Sequence, residues 1–376
     1  MTGIAGGHYT TIIYVLLFIF TVFSFISISF IDVDTANSLR PWLDEFVGDK
    51  GLDVASKNLE DIGNVQQNRT LEPDDVFSAC LLMMDDNHFL TEWLAYHYHT
   101  LPLRHLIVAV DPRSVTSPSK ILDRWRAHGM VIEEWSDNDF LSKNIPSHSD
   151  TMYIRKNNPS LSDSQIAVIS MHRTRQRQFY SKCMKVLKAA NRTWTLLVDT
   201  DEYLVINKRA TKRFNVQAPS MEQPASVMSF IRQELAKSES EFPKDSPCIM
   251  IPRLRFGSQE SLPGDVHKNV PSGFNASALI TLRFRKHALP ETYTMNKMGK
   301  TIIDVSKLKT SKIIVKNPHR PLSDYCPESE VLTKIKDNLF VVHHYAGTWE
   351  QYSFREDYRG MKGKKVCTTC LSGLQI

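Results

Sequence analysis

From residue 76 onward, short apolar runs recur along the chain and the stretches between them carry a helical pattern, an alternation that leaves few folds open. Residues 76–84 (VFSACLLMM), 104–110 (RHLIVAV), 130–135 and 194–198 (WTLLV) are short and apolar almost throughout. Such runs suit strands buried on both faces better than half-exposed strands. Between them, residues 87–100 place Phe89, Leu90, Trp93, Leu94, Tyr96 and His97 near helical spacing. Residues 119–128 and the long stretch 166–190 read as further helices, and Asp111 followed by Pro112 stops the second strand. Repeated strand–helix–strand order predicts a parallel sheet with helices on both faces. After Ile206 the pattern loosens. Strands are expected at 248–255, 278–284, 300–305, 311–315 and 339–343 with few long helices between them, so the second half reads as mixed α/β.

The N-terminal part is organised differently. Residues 12–31 (IIYVLLFIFTVFSFISISFI) carry no charge and are long enough to cross a bilayer as a helix. A cleavable signal peptide usually has a shorter apolar region and a small-residue cleavage site, and a core helix would show an amphipathic stripe. The division expected is therefore a short cytoplasmic tail at 1–11, a transmembrane signal anchor at 12–31, a stem at 32–73 and a folded domain at 74–376. The stem is polar, without sustained periodicity, and contains Pro41, Gly48, Gly51 and Gly63. An anchor with the folded mass behind it predicts a single-pass type II protein facing the Golgi or ER lumen. Two features agree with that. Asn68, Asn191 and Asn275 begin N-glycosylation sequons, and the six cysteines form an even count compatible with disulfides of open connectivity. Cys367 and Cys370 lack the second pair or histidines of a zinc site.

Across 376 residues the formal charge is only +5, without a basic block interleaved with aromatics, which argues against a nucleic-acid partner. The chemistry concentrates at Asp199 and Asp201, two carboxylates one residue apart directly after a buried apolar run. In an open α/β sheet, ligands bind beyond the carboxyl ends of the strands. Alternation leaves both side chains on one side, where they could face one Mn²⁺ or Mg²⁺ together with a substrate's phosphates. A solvated acidic turn is the plain alternative.

The surroundings of this pair resemble glycosyltransferase family 92 and related GT-A enzymes. The resemblance is carried by Asn87, Glu92, Trp93, Tyr96 and His97, by the helix through residues 176–183, and by residues 194–203. It continues through Arg255 to Ser258, Gly299 to Ile303, His343 to Tyr345, Trp349 to Tyr352, and Arg359 with Gly360. Two places depart from it: His88 stands where an acidic residue is usual, and Gln259 and Glu260 stand where small residues are usual. The resemblance implies a GT-A fold, a Rossmann-like nucleotide-diphospho-sugar-binding α/β domain with a mixed sheet, behind the N-terminal transmembrane helix. It implies a metal held by Asp199, Asp201 and His344, with Lys300 and Arg359 on donor phosphates. Asp111 would bond base or ribose, although an Asp-Pro turn explains it equally. A general base would come from Glu260 or Glu202. The expected activity moves a sugar from a nucleotide-diphospho-sugar to a glycan, glycoprotein or glycolipid. A catalytically inactive glycan-binding domain and a metal-dependent nucleotidyltransferase are the alternatives; the latter lacks a Walker-type phosphate loop.

Overall fold

The first strand, β1 (Phe77–Met83), is buried along nearly its whole length and ends at Asp85, whose φ of 56° turns the chain. Helix α1 (Asn87–Thr100) follows and buries Phe89, Leu90, Trp93, Leu94, His97 and Thr100, one stripe at helical spacing. Strand β2 (Leu103–Val110), helix α2 (Ser119–Ala127) and strand β3 (Val131–Trp135) complete the first repeats. Gly129, at φ 84° just past α2, supplies the left-handed residue that closes a helix and releases the chain into β3. Three helices come next: α3 (Asp137–Phe140), α4 (His148–Asn157) and the long α5 (Asp163–Ala189). A capping box between Ser162 and Gln165 starts α5, and Asn191, at φ 54°, turns out of its end. These elements come from a computed structural model that describes residues 76–142, 147–240, 242, 246–261, 279–326 and 334–348. The proposed tail, anchor and stem lie outside the described residues, as do Asn68, Asn275, Arg359, Cys367 and Cys370. Among the described residues no helix is long and apolar enough to cross a membrane.

Strands β4 (Trp194–Leu197) and β5 (Glu202–Ile206) flank the carboxylate turn. Helices α6 (Lys208–Arg213) and α7 (Ser226–Leu235) precede β6 (Cys248–Ile251) and β7 (Arg253–Phe256). A short helix α8 (Ile280–Arg283) and strands β8 (Lys300–Asp304) and β9 (Phe340–Tyr345) follow. Two sheets result. One has order β3-β2-β1-β4-β8-β6, the other β5-β9-β7. Strands β3, β2, β1 and β4 run parallel, while β8 is antiparallel to both its neighbours, so the expected mixed sheet is present. Disulfides Cys80–Cys183 and Cys248–Cys326 tie β1 to α5 and β6 to the chain beyond β8.

Three expected strands differ. Residues 248–255 split at Pro252, which has no N–H to give a ladder; β6 pairs in the first sheet and β7 in the second. In the 278–284 stretch, residues 280–283 are helical because the Glu92 carboxylate accepts from the amides of Ile280 and Thr281, at 2.6 and 3.3 Å, and from the Thr281 hydroxyl. The 311–315 stretch alternates as a strand would, Ile313 and Val315 buried with Ile314 exposed, but forms no ladder. Its Val315 amide is taken by the Ser181 hydroxyl of α5 at 2.8 Å.

Candidate functional site

The order of the larger sheet reverses at β1, which has β2 on one side and β4 on the other. In such sheets the usual ligand position lies at a reversal of this kind, beyond the carboxyl ends of the strands. Asp85 and Asp86 follow β1, Asp111 follows β2, and Asp199 to Asp201 follow β4. The chain leaves β4 through this turn and enters β5 at once, moving from the first sheet to the second. Pairing of β5 with β9 sets Glu202 opposite His344, and the Tyr345 amide donates to the Asp201 carbonyl at 2.9 Å. Helix α1 braces β5 from behind: the Trp93 indole donates to the Glu202 carbonyl and the Tyr96 hydroxyl to that of Leu204.

The turn is held by charge. Lys300, 2% exposed, places its ammonium 2.7 Å from Asp199 Oδ2 and 2.8 Å from Glu202 Oε2. The Asp199 amide also donates to Glu202 Oε2, closing a ring across the turn. Burial alone would raise the Asp199 carboxyl, but the charge and hydrogen bond of Lys300 outweigh it and hold the carboxyl well below its usual range. Burial likewise disfavours the Lys300 ammonium, yet Asp199 and Glu202 raise its pKa above the ordinary value.

On the other side of Glu202, Oε1 lies 3.6 Å from the Arg253 guanidinium and 4.0 Å from His344 Nδ1. His344 Nε2 is 3.4 Å from Asp201 Oδ2. Asp201, Glu202 and His344 each offer one ligand atom, and these atoms lie within 4.8 Å of one another. Glu202 is wholly buried, and its Oε1 and His344 Nδ1 make no hydrogen bond among the described residues. Asp199 and Glu202 thus meet two fixed cations, Lys300 and Arg253, while Asp201 stands beside His344. Two carboxylate oxygens and one imidazole nitrogen form a donor set suited to a divalent ion that accepts both, such as Mn²⁺.

Five of the residues expected from the sequence therefore converge: Asp199, Asp201, Glu202, Lys300 and His344. Asp199 stands on Lys300, and Glu202 takes the place beside Asp201 and His344. Asp111 is 2% exposed, and its carboxylate accepts from Arg113 through the backbone amide, Nε and the terminal nitrogen, with Arg175 at 3.8 Å. Burial would raise its pKa, but the Arg113 bonds and charge hold it down. Glu260 is half exposed and meets Arg283 at 2.6 Å. Two contributors escaped sequence reasoning. Arg253 reads as one basic residue in an alternating strand, with nothing to point at Glu202. His319 sits in the turn 317–320, its Nδ1 3.1 Å from the carbonyl of Gly299, the residue before Lys300. Burial first, then the Lys300 charge, lowers its pKa to about 4, so the ring is neutral and donates through Nδ1.

No protein-family model matches the chain, and no curated protein does. Among solved structures, S. aureus TarS 1-349 matches with TM-score 0.26 and 15% identity over 74% of this chain. A longer S. aureus TarS structure gives 0.27 and 14%, and TarS 1-349 in complex with UDP gives 0.26 and 14%, each again over 74% of this chain. The chain spans 62% of TarS 1-349, with or without UDP, and 38% of the longer TarS chain. At these TM-scores the likeness assigns neither fold nor activity to the chain, and the chemistry of the site rests on its own residues.

Proposed function

We propose that the chain is a metal-dependent glycosyltransferase of GT-A architecture, akin to family 92, that uses a nucleotide-diphospho-sugar as donor. The observation that carries this reading is the donor set Asp201–Glu202–His344, beside the Asp199–Lys300 pair, at the switch point of a mixed α/β sheet. Asp201, Glu202 and His344 would hold Mn²⁺ or Mg²⁺, and the bound ion would supply Lewis-acid stabilisation for a departing nucleoside diphosphate. The chain's own residues do the rest. Lys300 fixes Asp199 in its ionised form, leaving Oδ1 outside that hydrogen bond to accept from a donor hydroxyl. Glu202, buried and bonded on both sides of the turn, positions the carboxylates rather than meeting an acceptor. Glu260, half exposed and paired with Arg283, is proposed as the group that takes the acceptor's proton, since Glu202 is wholly buried. Arg359 is assigned to phosphate, and Asp111 to the nucleoside side through the turn it orders.

The acceptor is proposed to be a glycan, glycoprotein or glycolipid. Residues 12–31 are proposed to anchor the enzyme as a type II protein with the domain in the Golgi or ER lumen. Two disulfides and the exposed Asn191 sequon support an oxidising, glycosylating compartment. Incubating the full chain with Mn²⁺ and a panel of nucleotide sugars tests the activity. A transferase releases nucleoside diphosphate, a nucleotidyltransferase releases pyrophosphate, and a binding domain releases neither. Either of the last two outcomes overturns the proposal.

A further inference from the structure

Asp199 and Lys300 have a neighbour that the proposed chemistry leaves unused. Strand β8 pairs with β4 so that Thr301 lies opposite Leu197, which sets Gly299 and Lys300 beside the acidic turn at the carboxyl end of β4. The Gly299 carbonyl accepts from His319 Nδ1 at 3.1 Å. A carbonyl can only accept, so Nδ1 carries the proton and Nε2 is left as an acceptor. Among the described residues Nε2 makes no hydrogen bond, and the ring is only half-buried.

The ring is fixed before any ligand arrives. The His319 amide donates to Asn317 Oδ1 at 2.9 Å, and Asn317 pairs with Arg320 across the turn. Pro318 and Pro321 flank the histidine and its neighbour with φ angles that cannot vary. Just beyond, the buried Leu322 accepts through its carbonyl from the Cys326 amide at 2.7 Å, and Cys326 is disulfide-bonded to Cys248 of β6, the other neighbour of β8. Burial, then the Lys300 charge, keeps the ring neutral, with Asp199 opposing them in part, so the carboxylate stands within electrostatic reach of the imidazole. The Asp199 side chain is 42% exposed, and a ligand can therefore reach both groups.

We propose that His319 Nε2 accepts a hydrogen bond from a hydroxyl of the transferred sugar, beside Asp199, and so helps to set which sugar the site takes. The lone pair selects the partner. Phosphate oxygens ionised at neutral pH bring no proton to a neutral imidazole, whereas a hydroxyl does. Strand order selects which hydroxyl. Along β2-β1-β4-β8, with neighbours about 4.8 Å apart, Asp111 lies on one side of the acidic turn and His319 on the other. A donor with its nucleoside toward β2 and its diphosphate at the turn brings its sugar toward β8. That ordering rests on the reading under Proposed function. A site built to bond a hydroxyl also rejects an analogue that lacks it, because its own acceptor is then left unpaired.

Calorimetric titration of the full chain in Mn²⁺ tests this, with UDP-glucose, UDP-galactose, UDP-N-acetylglucosamine and GDP-mannose each set against its parent diphosphate. For a nucleotide sugar that binds, His319→Ala should weaken affinity about 3- to 10-fold, the scale of one neutral hydrogen bond, and leave the parent diphosphate unchanged. His319→Asn has an amide nitrogen that can keep the Gly299 bond but no acceptor at the place of Nε2, and it should lose as much as His319→Ala. The longer amide of His319→Gln should recover part of the loss. Unaltered affinity in the His319→Asn protein would mean that the ring only anchors the turn, and it overturns the proposal. So does equal weakening of sugar nucleotide and diphosphate, which would assign the ring to the ribose or to the placing of Lys300. In either case the diphosphate still binds the unaltered chain and the transferase reading stands. Binding of no nucleotide by the unaltered chain overturns that reading, and this assignment with it.

Discussion

Asp199 and Asp201 are two residues apart yet stand in different company, and the difference is testable. Asp201 lies in the donor set with His344 and Glu202, while Asp199 is bound to Lys300. Asp201→Asn and Asp199→Asn each keep volume and remove one charge. Both should lower turnover, on the order of 10²–10³-fold for a lost preorganised electrostatic contact. Only Asp201→Asn should also weaken Mn²⁺ binding directly, which calorimetric titration reads; an Asp201 with a purely structural role would lower the melting temperature and leave that titration unchanged. Lys300→Met should cost about 3–5 kcal/mol of stability, the scale for stripping one partner from a buried ion pair. Urea unfolding checks it, and adding Glu202→Gln should recover part of the loss because the two groups share one contact. The carboxylate pair was legible because an apolar run followed by acidic residues on one face is local information. Arg253 and His319 were not, since each acquires its meaning from a partner that only the folded sheet brings close.

At the level of elements, local pattern found most of the first half and less of the second. Strands β1 to β4 and helices α1, α2 and α5 lie close to where apolar spacing puts them, because each carries its own period or its own buried run. The misread stretches were decided by distant groups instead: Glu92 caps α8 from α1, and Ser181 takes an amide that a neighbouring strand would have used. Strand β5 is masked in the sequence because it starts on the last acidic residue of the turn. Glu92 offers a clean test. Its carboxyl is raised by burial, with the Thr281 hydroxyl and the backbone amides pulling the other way. Glu92→Ala should lower stability by about 1–2 kcal/mol, as for a lost helix cap. Glu92→Gln keeps an acceptor for the same amides and should lose less; equal losses in urea unfolding would mean that charge, not capping, is what α8 needs.

For the whole molecule, buried neutral histidines set the response to acid. His97 is fully buried beside Trp93 and Tyr203, and its Nδ1 donates to the Trp93 carbonyl. Burial takes its pKa down to about 3, against an ordinary value of 6.5, with that hydrogen bond opposing only in part. Above pH 6.5 neither folded nor unfolded chain protonates this ring, so its contribution is flat. As pH falls from 6.5 toward 3 the unfolded chain takes up a proton that the folded one refuses. Stability should therefore drop by about 1.4 kcal/mol per pH unit from this group. His97→Phe should flatten the curve by that amount, measured by urea unfolding between pH 7 and pH 5.

The place of β9 at the centre of the smaller sheet has a consequence for how the protein is made. A ribosome delivers β5 and β7 well before residues 340–345, and until then each of these two strands lacks the partner it has in the finished sheet. Long-range pairings of this kind form slowly, and unpaired strand edges invite wrong partners meanwhile. His344 rides on that late strand, so the carboxylates of the turn are in place before the imidazole that completes their set. The proposed donor set is thus complete only once β9 inserts, and the strand that ends the open-edged interval is the same one that brings the imidazole beside Asp201 and Glu202.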